Sequence, residues 1–222
     1  MWVGHYASSF LLKQVDRRIP LWLLFLAAQF VDILWAVFIL LGIEKVRIVP
    51  GFTASNPLDL YYMPYTHSLV ASVGWATVVS LLYGWGKRTR DWPGPPWVLG
   101  AAVLSHWFLD LIVHVPDLPI YGVSHKVGFG LWQNMPLAMT VETLVLMVPL
   151  VLFARGTYAR PYLLFGVALC VMNLGNTLLP SPPSSNAMAA LGLAGYLGLA
   201  FVAYWVEHRA GRTSSRSVGK SR

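Results

Sequence analysis

Six apolar stretches, separated by short polar loops, account for most of this 222-residue chain. Only 11% of its residues are charged, whereas soluble domains carry about 25%. Stretches of this length and composition are typical of helices that cross a bilayer. The predicted spans are residues 21–43, 68–85, 97–115, 137–153, 162–179 and 187–206. The sequence therefore predicts an all-α, polytopic membrane protein with six transmembrane helices.

Lysine and arginine residues are concentrated in alternate loops, and this bias predicts the orientation of the spans. Thirteen of the 16 lie before the first span, between spans two and three, between spans four and five, or after the last span. Because positive charge marks cytoplasmic loops, we expect both termini in the cytoplasm. Residues 1–208 are predicted to form a single domain, and residues 209–222 a basic, disordered cytoplasmic tail.

Several other functional classes find no support in the sequence. The net charge of +7 comes from loops and the tail, without the interleaved aromatic stripe that would indicate a nucleic-acid groove. Cys170 is the only cysteine, which excludes an intrachain disulfide. There is no phosphate-binding loop, nucleophile elbow or dinucleotide fingerprint. The expected partners are membrane lipids and a small-molecule or lipid substrate, and the oligomeric state stays open.

The third span carries His106, Asp110 and His114 at intervals of four residues. Successive helical residues are rotated by about 100° around the helix axis, so residues four apart differ by only about 40°. The three side chains therefore lie on one face of the helix. Ionisable groups are costly in hydrocarbon and indicate function by default. A rise of about 1.5 Å per residue also places Asp32 and Glu142 in the same layer, with His114 nearer the outer boundary.

The ligand types in this layer indicate a divalent metal. His67 opens the second span at the level of His114. Imidazole and carboxylate ligands suit zinc, and a set of two histidines and one carboxylate also suits iron(II) or manganese. We predict that His67, His106 and Asp110 bind the metal, zinc by preference. His114 and Asp32 are the second choices as ligands.

A carboxylate that is not a ligand could serve as the general base. Glu142 and Asp32 are the two candidates for accepting a proton from a metal-activated water.

A further histidine, His5, precedes the first span. Residues 2–12 are largely apolar and come before a charged segment, which leaves two arrangements open. An amphipathic helix at the membrane interface is the simpler one. A re-entrant helix of eleven residues would rise by roughly 16 Å and lift His5 toward His106.

Short motifs along the first half of the chain add to this pattern. They are Gly4-His5, Asp32, Thr66-His67-Ser68 and Ser105-His106-x-x-x-Asp110. Over roughly the first 120 residues, this order resembles the bacterial membrane-bound metal-dependent hydrolase family, which includes a LexA-regulated inner-membrane member. The resemblance implies hydrolase activity, a location in the bacterial inner membrane, and His5 as a further member of the metal site.

The chain departs from that family pattern at two places. Residues 62–65 read Tyr-Met-Pro-Tyr where the family has a histidine and an arginine, and Asp32 stands alone where paired aspartates are common. These departures disfavour a two-metal site and the binding of phosphate by an arginine.

Three hypotheses of function follow from the sequence. The leading one is a membrane-embedded, metal-dependent hydrolase acting on a lipid-phase or membrane-adjacent ester, amide or phosphoester. The alternative is a proton- or cation-coupled transporter that uses the same acidic and histidine residues as a relay. Internal repeats and broken-helix pairs are not evident, which weighs against this alternative. In the third, the chain is an assembly protein whose buried polar groups only fix helix packing.

Overall fold

The computed structural model describes residues 1–155 and 159–219, and within them the chain is mostly helical. The helices are α1 (Tyr6–Val15), α2 (Leu21–Ala28), α3 (Phe30–Leu40), α4 (Leu69–Arg90), α5 (Trp97–Val113), α6 (Met135–Ala154), α7 (Ala159–Leu178) and α8 (Ser185–Gly219). The strands are β1 (Lys45–Ile48), β2 (Leu58–Tyr62), β3 (Leu118–Tyr121) and β4 (Ser124–Val127). Single 3₁₀ turns precede α1 and α6, at Val3–His5 and Leu131–Gln133.

Four of these helices, α4, α6, α7 and α8, are long and apolar enough to cross a membrane. Helices α2 and α3 pass the same test together, but a bend of 53° at Gln29 breaks them into two halves. Helix α5 has 17 residues and is shorter than the others. All six predicted stretches are therefore helical, whereas length and composition support four to five spans in the described part of the chain.

The expectation of an all-α fold is wrong for two connections. β1 pairs with β2 between α3 and α4, and β3 pairs with β4 between α5 and α6, both in antiparallel register. The first hairpin carries a cross-strand ion pair in which Arg47 lies 2.6 Å from Asp59. In the second hairpin, Gly122 adopts a φ of 52° that its tight turn requires. Strands of four or five residues give too short an alternation to be recognised in the sequence.

The N-terminal segment lies inside the helix bundle. Tyr6 and Phe10 of α1 are fully buried and belong to one core with Phe25 of α2 and Phe153 of α6. The Tyr6 ring stacks on Phe25 at a centroid distance of 4.2 Å. This packing brings His5 beside His106, as the re-entrant arrangement predicts. The position of α1 relative to a membrane stays a prediction.

A buried lysine holds the far end of α1. Lys13 Nζ donates to the carbonyls of Arg17 and Ile19 and lies 2.5 Å from Glu207 Oε1 on α8. The other oxygen of Glu207 accepts the N–H of Leu21 at 2.8 Å. The ammonium group is thus fully paired, as a charge inside a protein must be. This pairing joins α1, the start of α2 and α8.

Helix α8 runs on beyond its apolar part. Its backbone is helical through Gly219, which includes most of the segment 209–222 that composition predicts to be a disordered tail. Residues 220–222 lie outside the described part of the chain.

Candidate metal centre

Four buried side chains from three parts of the fold converge near the middle of the bundle. They are Asp32 in the first turn of α3, His67 just before α4, and His106 and Asp110 on α5, and we call them the His–Asp cluster. His67 Nε2 lies 3.3 Å from Asp32 Oδ1 and 3.8 Å from Asp110 Oδ2. His106 Nε2 lies 3.5 Å and 3.2 Å from the same two atoms.

These separations of 3.2–3.8 Å are close to those between ligands of one metal ion. Tetrahedral ligands at 2.0–2.2 Å from zinc are roughly 3.3–3.6 Å from one another. The ligand atoms of His67, His106 and Asp110 all lie within 4.8 Å of each other, as do those of His5, Asp32 and His106. The cluster could therefore hold a metal ion.

The break between α2 and α3 orients His106. Ala28, the last residue of α2, directs its carbonyl oxygen to His106 Nδ1 at 2.9 Å. A carbonyl only accepts, so Nδ1 carries the proton and Nε2 presents its lone pair to the cluster. At the break itself, the buried Gln29 donates to the carbonyl of Trp2 at 3.1 Å. The same irregularity thus positions both His106 and the N-terminal segment.

A chain of two side chains orients His67. Thr66 Oγ1 donates to Glu44 Oε2 at 2.6 Å and lies 2.8 Å from His67 Nδ1. Because the threonine proton is committed to the carboxylate, Thr66 accepts from Nδ1–H and leaves the Nε2 lone pair free. Glu44 Oε1 accepts the N–H groups of Tyr65 and Thr66, and burial raises the pKa of this carboxyl.

His67 is not needed as a helix cap. The hydroxyl of Ser68 is the N-cap of α4 and accepts the N–H of Ala71 at 3.2 Å.

His114 is oriented in the same way as the other two. It follows the last residue of α5, in an extended conformation. Its Nδ1 lies 2.8 Å from Asp117 Oδ1, and its Nε2 lies 3.7 Å from Asp110 Oδ2. The carboxylate fixes the Nδ1–H tautomer, so a third imidazole presents Nε2 to Asp110.

His5 borders the cluster from the N-terminal segment. Its ring is fully buried and stacks on His106 at 3.7 Å, with 9° between the planes. Its Nε2 lies 3.1 Å from Asp110 Oδ1. Within the described residues, neither ring nitrogen of His5 nor Nε2 of His106 has an aligned hydrogen-bond partner. Unpaired buried nitrogens beside two carboxylates are suited to bind a cation.

Glu142 has a structural contact that the sequence did not indicate. Its Oε1 accepts the N–H groups of Trp2 and Gly4, the latter at 3.1 Å, at the start of the N-terminal segment. The Met1 ammonium group forms an ion pair with Asp110 Oδ1 nearby. Glu142 thus anchors the segment that carries His5.

A cavity of about 380 Å³ adjoins the cluster. Asp32, His67, Asp110, His114 and Glu142 line it at one end. The first hairpin, Trp132, and parts of α7 and α8 form its other walls. Every predicted site residue except His5 and His106 therefore faces the same space.

Comparison with known proteins adds no assignment. The chain matches no protein-family model, no curated protein and no solved structure. The resemblance to metal-dependent hydrolases stays a prediction, and function must be argued from the geometry.

No role was predicted from the sequence for three residues that contact the site: Glu44, Asp117 and Tyr196. Asp117 stands three residues after His114, a spacing that could have indicated the pair. Glu44 and Tyr196 gave no such signal, because each is brought to its partner by the tertiary fold. The Tyr196 hydroxyl on α8 interacts with the Asp32 carboxylate.

Proposed function

We propose that this chain is a membrane-embedded, metal-dependent hydrolase that uses one divalent cation, zinc by preference. His67, His106 and Asp110 would hold the ion. The supporting observation is that His67, His106 and His114 each have Nδ1 fixed by an acceptor while Nε2 lies near Asp110 Oδ2. The Nε2 atoms of His67 and His106 also lie near Asp32. This arrangement is typical of metal-ligating histidines.

One ion fits the donor set better than two. His106 belongs to both candidate ligand groups, and its Nδ1 is already committed to Ala28. It therefore offers a single nitrogen. The buried carboxylates also favour a cation, because unbalanced negative charge inside an apolar bundle is costly.

The remaining residues suit the hydrolysis of a bound ester, amide or phosphoester. A zinc ion, when bound, would supply a Lewis acid and a water of lowered pKa. Asp32 Oδ1 lies next to both ligating nitrogens and is placed to take the water proton. Glu142 is the second candidate base, since one of its oxygens is occupied by backbone N–H groups.

The same proposal places the chain in the bacterial inner membrane with six spans. The broken α2–α3 pair would be the first span and α5, at roughly 26 Å, the third. With both termini cytoplasmic, α1 would enter from the cytoplasmic side. The two hairpins would then lie on the periplasmic side, above the cavity.

Asp32→Asn is expected to separate metal binding from catalysis. The variant should keep its metal, whereas hydrolysis of p-nitrophenyl acetate or bis(p-nitrophenyl) phosphate should fall by about 10²–10⁴-fold, because the amide cannot accept a proton. Metal content and kcat are the measurements. Asp59→Asn in the first hairpin is the matched control and should leave both unchanged, because Asp59 pairs with Arg47 and does not line the cavity. Unchanged turnover in Asp32→Asn would rule out Asp32 as the base.

Thr66→Val is expected to weaken zinc affinity by about 10–100-fold, the usual cost of losing an outer partner of a ligating histidine. Valine has the shape of threonine but cannot connect Glu44 to His67. Competition with a chelating zinc dye measures the dissociation constant. Thr66→Ser restores the hydroxyl and should recover most of the affinity. Equal affinity in wild type and Thr66→Val would contradict the orienting role of this chain.

A cation transporter is the second candidate, and one structural feature favours it. Contrary to the expectation from sequence, α2 and α3 form a broken helix, and Asp32 lies at the start of its second half. Transporters often place ion sites at such breaks. Cation flux in proteoliposomes, without hydrolysis of any probe, would support this function over the first.

A further inference from the structure

We propose that the substrate is an amphiphile of the surrounding bilayer with an ester or phosphoester head group. The head group would lie at the His–Asp cluster, and the apolar chain would leave through a cleft between α7 and α8. This inference rests on the proposed hydrolase function and adds the substrate class to it.

The cavity is continuous from the cluster to the exposed surface of the bundle. Its walls beyond the cluster come from the C-terminal part of α7 and the N-terminal part of α8. Asn173 and Thr177 line the α7 side. Leu179 and Leu191 also line the cavity and are 68% and 63% exposed. A ligand in this space would meet both the charged groups of the cluster and apolar side chains that reach the surface.

Two glycines leave room for a chain in the cleft. Gly192 and Gly195 stand one turn apart on α8, and both line the cavity. A Cβ atom at Gly195 would meet no described atom within 4 Å. At Gly192 its nearest neighbours would be atoms of the Tyr196 ring, at 3.5 Å or more. The α8 wall is therefore open along about one helical turn, where an alkyl chain could lie.

Unpaired donors near the cluster indicate a ligand with acceptor oxygens. Trp35 and Ser55 line the cavity, and neither Trp35 Nε1 nor Ser55 Oγ has a partner among the residues described. Trp35 is 5% exposed, and its ring meets His67 edge-on at 5.9 Å. Indole N–H can only donate, and buried donors are ordinarily paired. Ester and phosphoester oxygens would satisfy both groups.

Photo-crosslinking in vesicles tests this proposal. The probe is phosphatidylglycerol with a diazirine in one acyl chain, mixed into phosphatidylcholine vesicles that contain the full-length protein. Mass spectrometry of the labelled peptides is expected to show more label in residues 173–182 and 188–196 than on the exposed face of α4. The two leucine side chains of the Gly192→Leu/Gly195→Leu variant would fill the cleft. The ratio of label in these residues to label on α4 should therefore fall several-fold in this variant.

Gly198→Leu is the matched control. Gly198 lies on the same helix, and a Cβ there would also meet no described atom within 4 Å, but this residue does not line the cavity. The label pattern of this variant should equal that of the wild type. Equal labelling of α4 and the cleft, or unchanged labelling in the double variant, would overturn the proposal.

Two further measurements separate this inference from the proposed function. The double variant should keep its metal, and its ratio of p-nitrophenyl palmitate to p-nitrophenyl acetate hydrolysis should fall. An unchanged ratio would contradict the amphiphile proposal and leave the hydrolase function standing. A wild-type protein without metal or hydrolysis would instead refute the proposed function, even if the cleft were labelled.

Discussion

Purified His106→Ala protein is expected to contain no stoichiometric zinc, iron or manganese, whereas the wild type should contain about one ion per chain. His106 is shared by both candidate ligand groups, so its loss removes a ligand from each. The affinity should fall by more than the roughly 10–100-fold that an outer partner contributes. Asp110→Ala is expected to have the same effect, since this carboxylate faces His5, His67, His106 and His114. Elemental analysis of protein extracted from native membranes measures the metal directly.

His125→Ala is the control for loss of a histidine. His125 lies exposed in the second hairpin, away from the cluster, and its substitution should leave the metal content unchanged. Because alanine at position 106 also leaves the Ala28 carbonyl without its partner, folding is checked by near-UV circular dichroism. A folded His106→Ala protein that keeps its full complement of metal would exclude the proposed centre.

Gly128→Ala is expected to destabilise the chain more than any other exchange of glycine for alanine in the hairpins. Gly128 follows β4 with a φ of 158°, and a Cβ there would lie 2.2 Å and 2.3 Å from the carbonyl oxygens of Val115 and His114. Backbone oxygens cannot rotate away, so the strand must shift. Overpacking of this kind costs about 1–3 kcal/mol, and an unfavourable backbone conformation adds about 1–3 kcal/mol. The melting temperature in detergent should fall by on the order of 10 °C.

Gly122→Ala isolates the backbone contribution. Gly122 has a φ of 52° in the turn of the same hairpin, but a Cβ there meets no described atom within 4 Å. The Gly122→Ala substitution should lower the free energy of unfolding by only about 1–2 kcal/mol, which is the penalty for a residue with a Cβ atom in the left-handed conformation. If the two variants melt at the same temperature, the close approach of Gly128 to the His114 carbonyl does not contribute to the loss of stability.

Helical geometry made part of the centre predictable from sequence. The spacing of His106 and Asp110 places them on one face in any helix, and depth along the spans brought Asp32 and His67 to the same level. The structure brings these four together. The depth of Glu142 along its span did not reveal whether this residue is a general base or an anchor for the N-terminal segment. The answer depends on which backbone N–H groups lie within hydrogen-bond distance of its carboxylate.

The features that escaped prediction depend on contacts distant in sequence or on irregular backbone. Residues 21–40 contain neither glycine nor proline, so the break at Gln29 left no mark in the sequence. Glu44 lies in the loop between α3 and β1, and helix periodicity does not predict the path of a loop. Whether residues 2–12 lie on the membrane or enter the bundle depends on Glu142 and Glu207, far along the chain.

The buried position of α1 dictates an order of biogenesis. Gly4 is held by a residue 138 positions later, and Lys13 by Glu207 in the last helix. A ribosome therefore finishes α1 long before any of these partners exists, although chains generally begin to fold from the N-terminal side during synthesis. Phe25 can cover the aromatic face of α1 as soon as α2 is made, but Gly4 and Lys13 lack these partners until α6 and α8 have been inserted. We therefore expect the final seating of α1, and with it the placement of His5, to be a late event of maturation.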